Sequence, residues 1–272
     1  MTAKVHNIFL VIVVIFATTS FSIPVEDDLT ITAKEKYALE QFKPMMTPLM
    51  PHEYMQTDIY LIKWLRASKL NLKAAREMII SNLRWRETNR MDTILEEDFS
   101  EFENDFPAST TGTDYEGRPL SIIDSSSWDV RKAVVTGKGD QLMRYGYRLM
   151  ETGVQRVYEA QRRHENVTQA TTLMNMKGFN LIQHACLNCI SLYVNFVLAF
   201  EHHYPGMAHR VVLINTPASF EIVLAAVRPV MSKETREALV IFGTNKQQWR
   251  RYILSMVPPD QLDHQFGGNK FD

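Results

Sequence analysis

The sequence has few of the features that usually announce chemistry. Its 272 residues carry a formal net charge of −1, which gives no polyelectrolyte signal for nucleic acid. It has no phosphate-binding glycine loop and no G-x-G-x-x-G run, so a nucleotide fingerprint is unsupported. Without a G-x-S-x-G turn a hydrolase nucleophile has no elbow to sit on, and "SSSW" (125–128) reads as a polar loop. His202 and His203 are adjacent on a predicted helix, so their side chains diverge and make a poor metal pair. Neither an internal repeat nor a low-complexity tract is present. The two cysteines, Cys186 and Cys189, cannot complete a four-ligand zinc site. A redox motif would want them at a strand-to-helix turn with a positive partner, and only His184 is near. Two readings stay open: small buried residues one helical turn apart, or a local disulfide.

What is present begins with "MTAKVHNIFLVIVVIFATTSFS". Lys4 precedes an apolar run from Ile8 to Ala17, and Ser20 and Ser22 supply small residues for cleavage, the pattern of a secretory signal peptide over 1–22. The alternative is an uncleaved signal anchor. The sequon Asn166-Val167-Thr168 lies in polar "RRHENVTQA" and predicts a glycan at Asn166 on an exposed loop. Residues 23–31 read as an acidic linker. A short helical pattern follows, interrupted by Pro44, Pro48 and Pro51. Asn71 is a good N-cap, and apolar residues from Ile59 to Leu83 recur at helical spacing. Residues 32–98 therefore form a small helical module.

From residue 99 the pattern changes. Leu120–Ile123, "ATTLMNMKG" ended by Gly178, and "HRVVLINTP" stopped by Pro217 read as strands. Residues 140–165 and 187–203 read as helices, and Thr244 as the cap of a last one. Strands separated by long helices predict βαβ units. Continuously apolar strands predict a mainly parallel sheet covered on both faces. The fold class is thus α/β, with a helical module before it.

"FEIVLAAVRPVM" (220–231) is the odd stretch. On a helical wheel Glu221 and Arg228 share one narrow stripe. Phe220, Val223, Leu224, Val227 and Met231 form one apolar face, and Ile222, Ala226 and Val230 another. A helix apolar nearly all round is buried or in a membrane, and this one is shorter than the roughly 20 residues a span needs. It is a candidate cover for the second sheet face, its inner side lining any gap left there.

At this point the motifs converge. "YLIKWLRASKLNLKAAREMIISNLRWRETNRMDTIL", "DYEGRPL", "TTLMNMKG", "YPGMAHRVVLINTPASFEIVLAAVRPVMSKETREALVIFG" and "PPDQLDHQFGG" occur in the order found in CRAL-TRIO lipid-binding proteins. The chain resembles that family from about residue 32 to 268, with 99–272 as its lipid-binding domain. Its carboxy-terminal half looks closest to the tocopherol-associated, supernatant-protein-factor-like branch, whose additional β-sandwich has no counterpart before Asp272.

The resemblance implies a lipid pocket floored by the sheet and closed by a gate helix. Phe220, Val223, Leu224, Val227 and Met231 match the gate, Thr172 and Met174, or their alternating neighbours, would face the cavity from the floor, and Tyr145 and Leu149 from the long helix. It implies a non-enzymatic carrier with no cofactor or metal. The ligand would be a small hydrophobic lipid, the membrane contact transient, and the protein a monomer. The chain departs from the inositol-lipid pattern. Gly206 and Ala238 replace a Glu and a Lys, leaving only Thr235, and Ala170 replaces a Ser used for choline phospholipid. A tocopherol, retinoid, sterol precursor or fatty acid is favoured. Phospholipid or phosphoinositide transfer, a lipid-sensing scaffold, and a redox or hydrolytic enzyme are the alternatives. The leader implies secretion or a secretory-pathway lumen, with a tethered form if it stays uncleaved.

Overall fold

The computed structural model describes residues 28–270. The expected signal peptide, the first part of the expected linker and the last two residues lie outside that range. The helical module contains α1 (Ala33–Met46), α2 (Asp58–Ala67) and α3 (Leu72–Thr88). Thr32 and Glu35 cap α1 reciprocally, and Asn71 caps α3 by accepting from the Ala74 amide. Pro44 does not break α1, contrary to expectation. The helix runs through it to Met46, because the one amide bond that a proline forfeits is lost only in the last turn.

After α4 (Ser100–Asp105), the sheet strands are β1 (Ala108–Ser109), β2 (Leu120–Asp124), β3 (Ala170–Asn175), β4 (Ala208–Ile214) and β5 (Leu239–Ile241). They lie in the order β1-β2-β3-β4-β5. β1 is antiparallel to β2 and the rest are parallel, with Leu120 opposite Thr171, Thr172 opposite Val211 and Val212 opposite Val240. The connecting helices are α5 (Val130–Val135), α6 (Gly139–Arg162), α7 (Leu181–His184), α8 (Leu187–His203), α9 (Glu221–Val227), α10 (Lys233–Ala238) and α11 (Lys246–Met256). β1 and β5 were not separately predicted. Two or three residues are too few to display an alternation.

The sheet's period of two assigns its faces. Leu120, Ile122, Leu173, Val212 and Ile214 pack on one side with Trp249 and Ile253 of α11. Thr172, Met174, Ser121, Ile123 and Val211 line a cavity on the other. The last helix is capped by Asn245, whose side chain accepts from the Gln248 amide, and not by Thr244 as the sequence suggested.

The module is joined to the sheet domain by charge as well as by apolar packing. Arg86 of α3 pairs with Glu151 of α6 at 2.9 Å and with Asp92 at 2.6 Å. The Tyr204 hydroxyl donates to Glu151 at 2.7 Å. Leu61, Trp64, Leu65, Val157, Tyr158 and Met207 share one apolar cluster across the seam.

One buried imidazole, His209, and one half-buried, His203, make stability pH-dependent. Burial, then Arg118 and Arg210, push His209 down to about 3. Burial, then His202 and Arg86, push His203, stacked on Trp85, down to about 4. Both stay neutral in the fold at pH values where the unfolded chain binds protons, below its ordinary value near 6.5. Stability is therefore present above about pH 6.5 and lost as pH falls towards 4. Each histidine subtracts less than the unscreened limit of about 1.4 kcal/mol per pH unit, because solvent reaches part of each ring and screens the shift. Urea midpoints that fall between pH 7 and 5, with the loss reduced in His209→Asn, are the expected result.

Candidate functional site

The cavity, about 280 Å³, lies between the sheet and helices α6 and α8. Thr172 and Met174 form its floor with Ala170, Ser121, Ile123 and Val211. Leu142, Gly146, Leu149 and Gly153 of α6 form one wall, and Leu192, Tyr193, Phe196, Val197 and Phe200 of α8 the other. No charged side chain is among the lining residues.

Spacing explains the walls. Residues 142, 146, 149 and 153 follow the three- and four-residue steps that return to one face of a helix. Two of those four are glycine, each disfavouring a helix interior by about 0.5–1 kcal/mol relative to alanine. At Gly146 the reason is room, because a Cβ there would lie 3.0 Å from the Phe196 ring. At Gly153 it would lie 3.4 Å from Ser121 Oγ.

The polar groups in this wall are few and neutral. Thr235 Oγ1 takes a hydrogen bond from Ser232 at 3.1 Å, and Trp128 Nε1 donates to the Pro107 carbonyl at 3.3 Å. Burial pushes the Tyr193 phenol up, so it is a neutral hydrogen-bonding group throughout the working pH range.

Of the residues singled out from the sequence, Leu149, Thr172 and Met174 line the cavity together. Tyr145 does not line it. Its ring packs with Phe99 and Phe102 of the neighbouring cluster, and its hydroxyl donates to the Phe106 carbonyl at 3.0 Å. The apolar face of 220–231 does not line it either. Phe220, Val223, Leu224 and Val227 are buried against Met176, Phe179 and Leu213, with Val194, Val197 and Met231 at the edges. Phe220 meets Phe179 edge to face, 5.1 Å between centroids.

The helix of the 220–231 segment is also shorter than its pattern. A 3-10 turn at Ala218–Phe220 leads into α9, and a second at Arg228–Val230 follows it. Pro229 cannot continue the α-helical ladder. Met174, Tyr193, Val197 and Val211 belong both to the cavity lining and to the cluster under α9. The segment thus packs one layer outside the cavity, behind those four residues. Glu221 and Arg228 form an exposed pair on its outer side.

Gly206 and Ala238 stand outside the lining. The Gly206 carbonyl accepts from buried Lys63 Nζ at 3.0 Å, and Ala238 is buried at the end of α10. Asn166 is exposed, whereas Thr168 of its sequon is buried, so the loop is only half as exposed as its polarity suggested. The tight α8 wall could have been found from Leu192, Phe196 and Phe200, spaced four apart in "LNCISLYVNFVLAF", and the α6 groove from glycines seven apart in a helical run.

A larger open cleft, about 740 Å³, lies at the seam and is lined by His52, Tyr54, Arg86, Asp92, Glu151 and Arg162 among others. Volume favours the cleft, but chemistry favours the cavity. An apolar guest in the cleft would strip water from ionised groups, which is costly. Among the described residues no group of three or more His, Cys, Asp or Glu could hold a metal ion, and no helix is long and apolar enough to cross a membrane.

Comparison with known proteins agrees with this architecture. The crystal structure of Sfh5 superposes with a TM-score of 0.70 over 89% of this chain and 90% of Sfh5, at 16% identity. Patellin-4 of Arabidopsis thaliana is 28% identical over 226 residues, 82% of this chain and 40% of Patellin-4. Protein real-time of Drosophila melanogaster is 26% identical over 210 residues, 74% of this chain and 32% of that protein. The chain therefore spans well under half the length of these curated relatives. The CRAL/TRIO domain family model matches residues 103–268, more than half of the 272. This chain belongs to the CRAL/TRIO domain family.

Proposed function

We propose that this chain is a non-enzymatic carrier that binds one neutral hydrophobic lipid and transfers it between membranes. The observation that carries this reading is a cavity wall without a charged side chain, floored by one face of the sheet. Each methylene taken from water there gains about 0.8 kcal/mol. Thr172, Tyr193 and Thr235 offer hydroxyls to a single small polar group. They offer no counter-charge to a phosphate. A tocopherol, retinoid or sterol precursor fits that chemistry, and a fatty-acid-like ligand fits it with its carboxyl protonated, in keeping with the tocopherol-associated, supernatant-protein-factor-like branch.

In this reading residues 32–98 are the helical module and 99–272 the lipid-binding domain. The 220–231 segment is the gate, and it moves onto a membrane surface during transient contact, because an interface can accept its apolar face meanwhile. The carrier works as a monomer and needs no metal or cofactor beyond its lipid. The leader directs it to the secretory pathway, where Asn166 receives a glycan.

Transfer between vesicles tests the ligand class. An unpaired buried polar group costs about 1–3 kcal/mol, so fluorescent tocopherol or retinol is expected to move at least about tenfold faster than fluorescent phosphatidylinositol. Preference for phosphatidylinositol would contradict the reading.

A further inference from the structure

The two cysteines are bonded to each other, Cys186–Cys189, at the start of the helix that walls the cavity. Cys186 is the N-cap of α8, and its Sγ accepts from the Cys189 amide at 3.2 Å. Both cysteines pack against the cluster around Tyr145, but they differ in exposure. Cys186 is half-buried, between flanking positions where Leu187 is 83% and Ile182 is 71% exposed. Cys189 is fully buried against the cluster that holds Leu142 and Tyr145 of α6.

A bond between residues three apart closes a very short loop. Chain-entropy stabilisation grows with loop length, so this bond does little for the fold as a whole. Its effect is local, on the first turn of α8. Two turns further on, Leu192, Tyr193 and Phe196 form the cavity wall.

The same placement favours reaction at one sulfur. Access favours first attack at Cys186, and the amides and dipole of the helix N-terminus stabilise the Cys186 thiolate once it forms, so it is the final leaving group and the first thiol to be alkylated. The first turn of α8 contains no acidic residue to oppose that stabilisation. Buried Cys189 is out of reach of an external thiol, and access decides which sulfur is attacked.

We propose that Cys186–Cys189 is a redox switch in the wall of the cavity, reduced by an external dithiol through attack on Cys186, with the reduced α8 turn releasing lipid faster. One thiolate of the dithiol bonds to Cys186 Sγ, the Cys186–Cys189 bond breaks, and Cys189 leaves as a thiolate that takes a proton. The second thiol of the reductant then attacks its own sulfur in the mixed disulfide. Cys186 leaves as a thiolate and the reductant departs as a cyclic disulfide, two electrons having passed to the protein. The lipid-release half rests on the carrier reading, whereas the thiol chemistry and the loosening of α8 do not.

The test uses the full chain in neutral buffer without denaturant, with dithiothreitol as the dithiol and iodoacetamide as the trap. Reduction is expected while the protein stays folded, with alkylation falling first on Cys186. Amide exchange over the first two turns of α8 should rise. Release of a fluorescent tocopherol should quicken about fivefold, the factor that a weakening of about 1 kcal/mol produces. The Cys186→Ser/Cys189→Ser variant should behave like the reduced form and ignore dithiothreitol. A bond that yields only in denaturant, first labelling at Cys189, or equal amide exchange in the two redox states would each overturn the switch. Equal lipid release from a protein that does hold lipid would also overturn it. Failure to hold lipid in either state would contradict the carrier reading instead, and labelling with amide exchange would then decide the switch alone.

Discussion

Replacing Gly146 by leucine is expected to cost about a hundredfold in lipid affinity while the protein still folds. Gly146 lies on the cavity face of α6, where even a Cβ would stand 3.0 Å from the Phe196 ring. A leucine has to occupy the cavity itself. Its four carbons displace about as many lipid methylenes, each worth about 0.8 kcal/mol, or ~3 kcal/mol in all. That sum corresponds to about two decades in Kd. Overpacking opposes folding by about 1–3 kcal/mol, partly offset by the helix preference gained on removing glycine. The check is titration with a fluorescent tocopherol or retinol beside circular dichroism and a denaturant midpoint. A folded Gly146→Leu variant that binds lipid like the parent would show that the ligand does not use this groove.

A carboxylate at Val227 is expected to unseat the gate. Val227 is buried with Phe220, Val223 and Leu224 against Met176, Phe179 and Leu213. Val227→Asp places a charge in that cluster, and an unpaired charge buried there costs several kcal/mol. The cheapest response is local. The short α9, already ended at Pro229, lifts so that the carboxylate meets water, while α11 and the opposite sheet face are untouched. Met174, Tyr193, Val197 and Val211 then lose their backing and the cavity opens. Faster lipid exchange and lower retention, with the far-ultraviolet dichroism preserved, are the expected outcome. Wild-type retention by a folded Val227→Asp variant would show that this segment is not the gate.

These two residues also mark what was legible in the sequence. The strands over 120–124, 170–175 and 208–214 were readable because both their faces are covered, which leaves uninterrupted apolar runs. The long helices α6 and α8 were readable from their period, whereas alternation within β3 left two faces open and only the family resemblance pointed to Thr172 and Met174 as the floor. The destination of an apolar face was not. Val227 and Leu149 look alike in sequence, since packing against protein and lining a cavity demand the same side chains. Only the tertiary arrangement puts Val227 in the cluster under α9 and Leu149 in the wall. Tyr145 fails for a related reason, because on α6 it sits at the flank of the cavity face, where α4 and Phe106 claim it. The glycines of α6 carried a signal in their cost, yet their use is apparent only once Phe196 is in place against Gly146 and Ser121 against Gly153.

The most direct test of the central claim is native mass spectrometry of the full chain, expressed in a eukaryotic host and purified without detergent. A carrier with an uncharged, apolar cavity should retain one lipid per chain. The bound mass should resolve on organic extraction into a neutral or fatty-acid-like species, and it should be lost from Gly146→Leu. A chain that emerges at its bare mass, or that carries a phosphoinositide, would contradict the account.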